Sequence, residues 1–316
     1  MIALDRILKV AAIAGSLAMT ACASHYNAPS ERAKGVTSTF RIEDNLRFSP
    51  PNWPQALYAD LYLPDLATSA PAVMLVHGGG WERRSRQDMG WIAERLASQG
   101  FAVMNIDYRF APDHTFPAQL HDLQIAMRWL RQQAPQYRIN PEAIGAFGFS
   151  SGAHLVSLLA LTSGDRHPLS EPYGGNPVVP VAVVAGGLPS DLRRFDSGPL
   201  IRQFLGGRQQ DIPDTYRLAS PLAQVARDAP PFFLFHGGMD LLVPLEQAED
   251  FHQALQRLNV DSELYVLHLR GHLSSFLTAG PAVDRAADFL RRHTLNPNQP
   301  TPTATAGETA PDSGTP

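Results

Sequence analysis

The chain has 316 residues, of which 44% are hydrophobic and 18% charged, with a formal net charge of -4. That apolar share supplies a substantial core, and the slightly acidic balance argues against a polyanion-binding protein. Arg83, Arg84 and Arg86 form the densest basic cluster, and so short a cluster reads as a solvated face rather than a nucleic-acid site.

The N-terminus carries address information. Arg6 and Lys9 precede an apolar stretch over 10–21, too short for a membrane span of about 20 residues but suited to the core of a secretory signal. Residues 1–21 are therefore expected to be an export signal. The stretch ends Met19-Thr20-Ala21-Cys22, which resembles a bacterial lipobox with Met19 where Leu is usual. The resemblance implies that Cys22 is lipidated and becomes the mature N-terminus. With Ala23 and Ser24 following, and no Asp directly after the cysteine, it also implies attachment to the outer membrane. The alternative is a plain signal peptide with an incidental Cys22, which leaves the protein periplasmic or secreted. Cys22 is the one cysteine, so no disulfide forms within the chain.

Residues 22–39 are polar in composition and are expected to form a flexible tether, followed by one catalytic domain over 40–293. Leu57-Tyr58-Ala59-Asp60-Leu61-Tyr62-Leu63 alternates like a half-buried strand ended by Pro64. Ala72-Val73-Met74-Leu75-Val76 is the continuous apolar run of a strand buried on both faces. The stretch 89–99 reads as a helix, with Gly100 placed to cap it before a buried run at 101–104. An amphipathic helix is predicted over 117–133, a strand over 144–147, and an almost wholly apolar helix over 153–161. Further buried strands are predicted at 181–185, 232–235 and 263–267. Strands alternating with helices imply a mostly parallel sheet covered on both faces, an α/β fold. Weak periodicity over 186–230 suggests a helical insertion over the site. Residues 294–316 hold no aromatic and are crowded with Pro, Thr and Gly, so they are expected to be a disordered tail.

Gly148-Phe149-Ser150-Ser151-Gly152 falls between the strand at 144–147 and the helix at 153–161. A GxSxG sequence at a sharp strand-to-helix turn holds its central hydroxyl clear of the sheet, and only small neighbours avoid a clash there. Ser150 is thus the candidate nucleophile. A serine hydroxyl is weak, so a base must take its proton and a third group must hold that base in the useful tautomer. His236-Gly237-Gly238-Met239-Asp240 follows a buried strand, and Gly271-His272 follows the last one. Both loops lie beyond the C-terminal strand ends, where an open α/β sheet forms its crevice. Asp240 is assigned as the orienting acid, with Asp191 and Glu246 as rivals; His272 is assigned as the base, with His236 and His268 as rivals. His77-Gly78-Gly79-Gly80-Trp81 follows the strand at 72–76, where unhindered amides can stabilise an oxyanion. The donors assigned are the backbone N–H groups of Gly79, Gly80 and Ser151, with Trp81 in the site wall. His77 is read as ordering its loop. No His or Cys spacing suggests a metal, and no phosphate-cradling loop or other cofactor signature is present.

Taken together, HGGGW at 77–81, Asp107-Tyr108-Arg109-Phe110-Ala111-Pro112, Phe116-Pro117-Ala118, GFSSG at 148–152 and the Asp240 and His272 segments resemble the α/β-hydrolase superfamily. The match is to its esterase branch related to hormone-sensitive lipase and to bacterial acetyl xylan or feruloyl esterases. The resemblance implies an α/β-hydrolase fold and a serine esterase acting on small-molecule or carbohydrate-linked esters, and it gives Asp107 and Arg109 a part in supporting a loop. Phe149-Ser150-Ser151 departs from the Asp-Ser-Ala core of the hormone-sensitive-lipase group, while Trp81 after the glycines favours the carbohydrate-esterase-like group. That group often has a glycine a few residues beyond the tryptophan, where this chain has Glu82, Arg83 and Arg84, so the pocket is not carried over. The same residues also serve amide cleavage, by an aryl formamidase or a peptidase, and a binding protein on a decayed hydrolase scaffold is the non-enzymatic alternative.

Overall fold

The computed structural model describes residues 23–31, 33, 35–164, 167–195 and 198–294. The expected signal at 1–21, Cys22, and all of the expected tail except Thr294 lie outside the described residues.

Nine strands form one sheet: β1 (Ala23–Tyr26), β2 (Phe40–Arg47), β3 (Tyr58–Pro64), β4 (Ala70–Val76), β5 (Ala102–Ile106), β6 (Ile139–Phe149), β7 (Val183–Gly186), β8 (Phe232–Gly237) and β9 (Ser262–Leu267). Their order is β1-β9-β8-β7-β6-β4-β5-β3-β2. The pairings from β5 through β4, β6, β7 and β8 to β9 are all parallel, and only the outer pairings β1–β9, β3–β5 and β2–β3 are antiparallel.

The continuous apolar runs are explained by burial on both faces. In β4, Ala72, Met74 and Val76 join one core while Val73 and Leu75 join the other. In β8, Phe232 and Leu234 divide from Phe233 and Phe235 in the same way. Side chains alternate across a strand, so a run without polar gaps is what two covered faces require. One face carries α2 (Ala118–Gln133), α3 (Ser151–Thr162) and α6 (Glu246–Arg257), and the other carries α1 (Gly90–Ala97) and α8 (Gly280–Thr294). This is the α/β-hydrolase architecture.

Several sequence expectations are corrected. The tether expected over 22–39 begins as a docked edge strand: β1 pairs with β9, and the His25 Nε2 lies 2.7 Å from Glu263 Oε2. Polar composition concealed it, because a sheet edge binds through backbone groups. The strand expected to be half-buried is β3, whose residues 59–63 are all buried, since it lies between β5 and β2 with cores on both sides. Arg86, read with its neighbours as a solvated face, is buried. Its Nε is 2.9 Å from Asp60 Oδ2, a second nitrogen reaches the Asp107 carboxylate, and a third donates to Asn45 Oδ1 at 2.7 Å. Arg83 and Arg84 remain exposed. Between β7 and β8 the chain forms short helices, among them α4 (Pro199–Leu205) and α5 (Pro213–Leu218). A Cβ placed on Gly80 would sit 3.4 Å from the Leu200 side chain, so α4 lies beside the glycine loop. The last helix, α8, runs through Thr294.

Candidate active site

The turn from β6 into α3 is built around two glycines that admit nothing larger. A Cβ on Gly148 would fall 2.3 Å from the Gly152 carbonyl carbon, and one on Gly152 would fall 2.2 Å from Val76 O. The turn can therefore pass directly over the end of β4. Ser150 takes φ 54° and ψ -121°, a strained conformation for a non-glycine residue. Its amide is held by Gly186 O at 2.7 Å.

The hydroxyl so presented meets a line of hydrogen bonds. Ser150 Oγ lies 2.9 Å from His272 Nε2, and His272 Nδ1 lies 2.6 Å from Asp240 Oδ2. His272 opens the short helix α7 (His272–Leu277), while Asp240 lies in the loop after β8. Asp240 Oδ1 accepts from the amides of Leu242 at 3.0 Å and Val243 at 2.9 Å, which leaves Oδ2 for the imidazole. Burial alone would raise the Asp240 pKa, but the hydrogen bond from His272, the Val243 amide and the nearby histidines together hold it below the ordinary carboxylate value. An ionised Asp240 accepts from Nδ1–H, and the tautomer that results leaves Nε2 unprotonated toward Ser150.

None of the rival residues stands in that line, although His236 Nε2 lies 3.5 Å from Asp240 Oδ2. His236 Nε2–H donates to Val243 O at 2.8 Å, and burial pushes its pKa down. His268 Nε2 pairs with Ser24 Oγ at 2.7 Å. Asp191 binds Arg193 at 2.7 Å, and Glu246 is exposed on α6.

Gly79 and Gly80 have φ of 123° and 65°. A Cβ on Gly79 would collide with Arg83 O at 2.1 Å, so a side chain is excluded there. Among the described residues, no protein group accepts a hydrogen bond from the amides of Gly79, Gly80 or Ser151. Beneath this loop His77 is fully buried, donates from Nδ1 to Gly78 O at 2.6 Å, and stacks on Tyr108 with centroids 4.4 Å apart. Burial lowers its pKa, so it stays neutral and orders the loop. Asp122 is also buried, and burial raises its pKa although Arg109 lies 2.8 Å away and offsets part of the shift. That pair fastens the segment after β5 to α2.

Trp81, expected in the site wall, is buried. It is 4% exposed, stacks on Phe204 with centroids 4.5 Å apart, and donates from Nε1 to His154 Nδ1 at 3.3 Å. The indole thus lies against Phe204 of α4. His154 Nε2–H in turn donates to Ala219 O at 2.7 Å, so one neutral tautomer satisfies both neighbours.

Complete burial pushes the His154 pKa down to about 4, an effect only partly offset by the Ala219 carbonyl. The unfolded chain therefore binds the proton more readily between the two values. Stability from this residue is full above its ordinary value of 6.5, is lost as pH falls from there to about 4, and levels off below. The expected cost is about 3 kcal/mol, and His154→Gln should lose this slope. Urea midpoints of both proteins between pH 7 and 4 check it.

Sequence reasoning missed the support around His272. Phe149 lies 5.1 Å from the imidazole, between centroids, and 4.9 Å from Phe276. A Cβ on Gly187 would sit 3.0 Å from His272 Cε1. The aromatic residue immediately before the nucleophile was the available signal. Among the described residues, no cluster of three or more His, Cys, Asp or Glu could hold a metal ion.

A GxSxG turn at the end of a central parallel strand, facing a histidine and an acid from later strand ends, belongs to an α/β-hydrolase. Comparison with known proteins narrows the class. Residues 59–255 match the BD-FAE family, and the chain belongs to that family. It is similar to the esterase LipC of Mycobacterium tuberculosis, with 32% identity over 242 residues, covering 71% of this chain and 58% of that protein. The chain thus spans somewhat more than half the length of this curated relative. Among solved structures, a truncated carbohydrate esterase from gut microbiota superposes with TM-score 0.71 and 26% identity, covering 83% of this chain and 100% of that one. An acetyl ester-xyloside bifunctional hydrolase from Caldicellulosiruptor lactoaceticus shares the fold, with TM-score 0.64 and 24% identity, covering 84% and 97%.

Proposed function

We propose that the protein is a carboxylic ester hydrolase that works through an acyl-enzyme on Ser150. The observation that carries this reading is the unbroken line from Ser150 Oγ to His272 at 2.9 Å and from His272 to Asp240 at 2.6 Å. His272 Nε2 takes the Ser150 proton as Oγ attacks the ester carbonyl, and Asp240 stabilises the imidazolium. The amides of Gly79, Gly80 and Ser151 receive the oxyanion, a contribution of about 3 to 4 kcal/mol when one such donor is removed from a comparable site. As the tetrahedral species collapses, His272 gives its proton to the departing alcohol. Water then loses a proton to His272, attacks the acyl-enzyme and releases the acid and free Ser150.

The substrates proposed are short-chain or carbohydrate-linked acyl esters, such as acetyl or feruloyl esters. Support comes from likeness to a carbohydrate esterase and to LipC. Export under the segment 1–21, with lipidation of Cys22 and attachment to the outer membrane, completes the proposal; a mature terminus elsewhere, found by mass spectrometry, would remove the anchor. Rates on acetylated xylan, feruloylated sugars and p-nitrophenyl esters of graded length, beside formyl-kynurenine and dipeptide amides, test the activity. Turnover of the esters, at least tenfold above the amides, is expected. Faster amide turnover would overturn it, as would a folded protein that leaves a fluorophosphonate probe unreacted.

A further inference from the structure

Nine large hydrophobic side chains are exposed among the described residues, and six of them fall in two neighbouring segments. Met239, Leu241 and Leu242 belong to the loop that carries Asp240; Leu269, Leu273 and Leu277 follow β9 and continue along α7. Each is at least 60% exposed, and Leu241 is 97% exposed. The segments are stitched together, since Met239 N–H donates to Arg270 O at 2.9 Å and Gly238 N–H to Leu267 O at 2.8 Å. Leu273 and Leu277 are one turn apart and share a helix face. Phe276, between them, points inward to Phe149. The six therefore border the outer side of the Asp240–His272 pair. An apolar collection of this kind, outside the core, marks a surface that meets a partner.

The path of the chain indicates which partner. β1 runs antiparallel to β9 with Ala23 opposite Leu267, and Ser24 Oγ reaches His268 Nε2 at 2.7 Å. The 22 residues before Ala23, with their apolar stretch and Cys22, therefore join the fold at the C-terminal edge of the sheet, next to Leu269. Any membrane attachment made through that segment is delivered to the apolar border and to the side on which Ser150 opens. The chemistry of the patch agrees. Five leucines and a methionine, with no aromatic, match hydrocarbon, whereas protein interfaces concentrate their energy in Trp, Tyr and Arg. Arg270 is exposed among them, which suits an anionic headgroup.

We infer that Met239, Leu241, Leu242, Leu269, Leu273 and Leu277 dock the protein on an anionic lipid bilayer, so that the Ser150 crevice opens against the membrane surface. The inference uses the position of Ala23, and depends neither on lipidation of Cys22 nor on the ester proposed above.

Cys22 is the only cysteine, so Cys22→Ser with Leu241→Cys leaves residue 241 as the sole thiol of the full chain. This protein is labelled with nitrobenzoxadiazole and mixed with phosphatidylglycerol and phosphatidylethanolamine vesicles. A second labelled protein carries Glu142→Cys in the same background, at an exposed position near the start of β6 and the opposite end of the sheet. Emission at 241 should rise at least threefold and be quenched by nitroxide-bearing lipids, while emission at 142 stays unchanged. Equal responses at the two positions, or none at 241, overturn the inference. So does a rise at 241 that follows protein concentration without vesicles, which would assign the face to a second copy of the chain. Far-UV circular dichroism and urea midpoints matching the unlabelled chain establish that each protein is folded, without reference to activity.

Discussion

Ser150→Ala is expected to lower kcat on short p-nitrophenyl esters by about 10⁶-fold, with little change in the urea midpoint. The substitution removes one oxygen, whose hydrogen-bond partner among the described residues is His272. The Cβ stays, and with it the strained φ of 54° that the surrounding turn imposes through the Ser150 amide and Gly186 O. The fold thus loses almost nothing, while the proposed reaction loses the atom on which its acyl bond forms. Residual hydrolysis, about 10³-fold over water, is expected from the amides of Gly79, Gly80 and Ser151. Steady-state kinetics beside urea unfolding check both halves, and a folded variant retaining a tenth of the activity would refute the nucleophile.

Asp240→Asn should cost about 10⁴-fold in kcat and leave KM close to its original value. The reason lies in the loop amides. Leu242 N–H and Val243 N–H both point at Oδ1, at 3.0 and 2.9 Å, so the asparagine must turn its oxygen to them. Its NH2 group then faces His272 Nδ1, 2.6 Å from the replaced oxygen, and donates to it. Nδ1 becomes the acceptor, the proton moves to Nε2, and the base can no longer take a proton from Ser150. The imidazolium also loses a carboxylate kept ionised by those same contacts. Because Asp240 lies behind His272, away from the hydroxyl, substrate binding is spared. A tenfold loss or less, or a loss carried by KM, would contradict this account.

Much of the fold was legible because a sheet covered on both faces demands apolar runs without polar gaps. The runs at 72–76 and 232–235 state that requirement openly, and they became β4 and β8, each divided between two cores. β1 and β2 were not legible. An edge strand contributes backbone hydrogen bonds, so Ala23-Ser24-His25-Tyr26 and Phe40–Arg47 carry little hydrophobic signal. Arg86 misled for a related reason: its charge is answered by Asp60 and Asp107, far along the chain, and no local pattern announces a buried pair. For Trp81, placed in the site wall by its position after the glycines, no local pattern announced the stacking on Phe204, 123 positions later.

The amino-acid sequence by itself determined the strand-helix alternation, the room for a sharp turn around Ser150, and the placing of Asp240 and His272 just past buried strands. These are local properties, set by side-chain volume, periodicity and backbone freedom. Only the tertiary structure decided how those parts meet: the 2.9 and 2.6 Å contacts that join three distant segments, the tautomer they impose on His272, and the passing of the N-terminal strand beside Leu267. Such distances depend on strand order and register, which follow from packing two cores against one sheet and are not encoded in any single stretch.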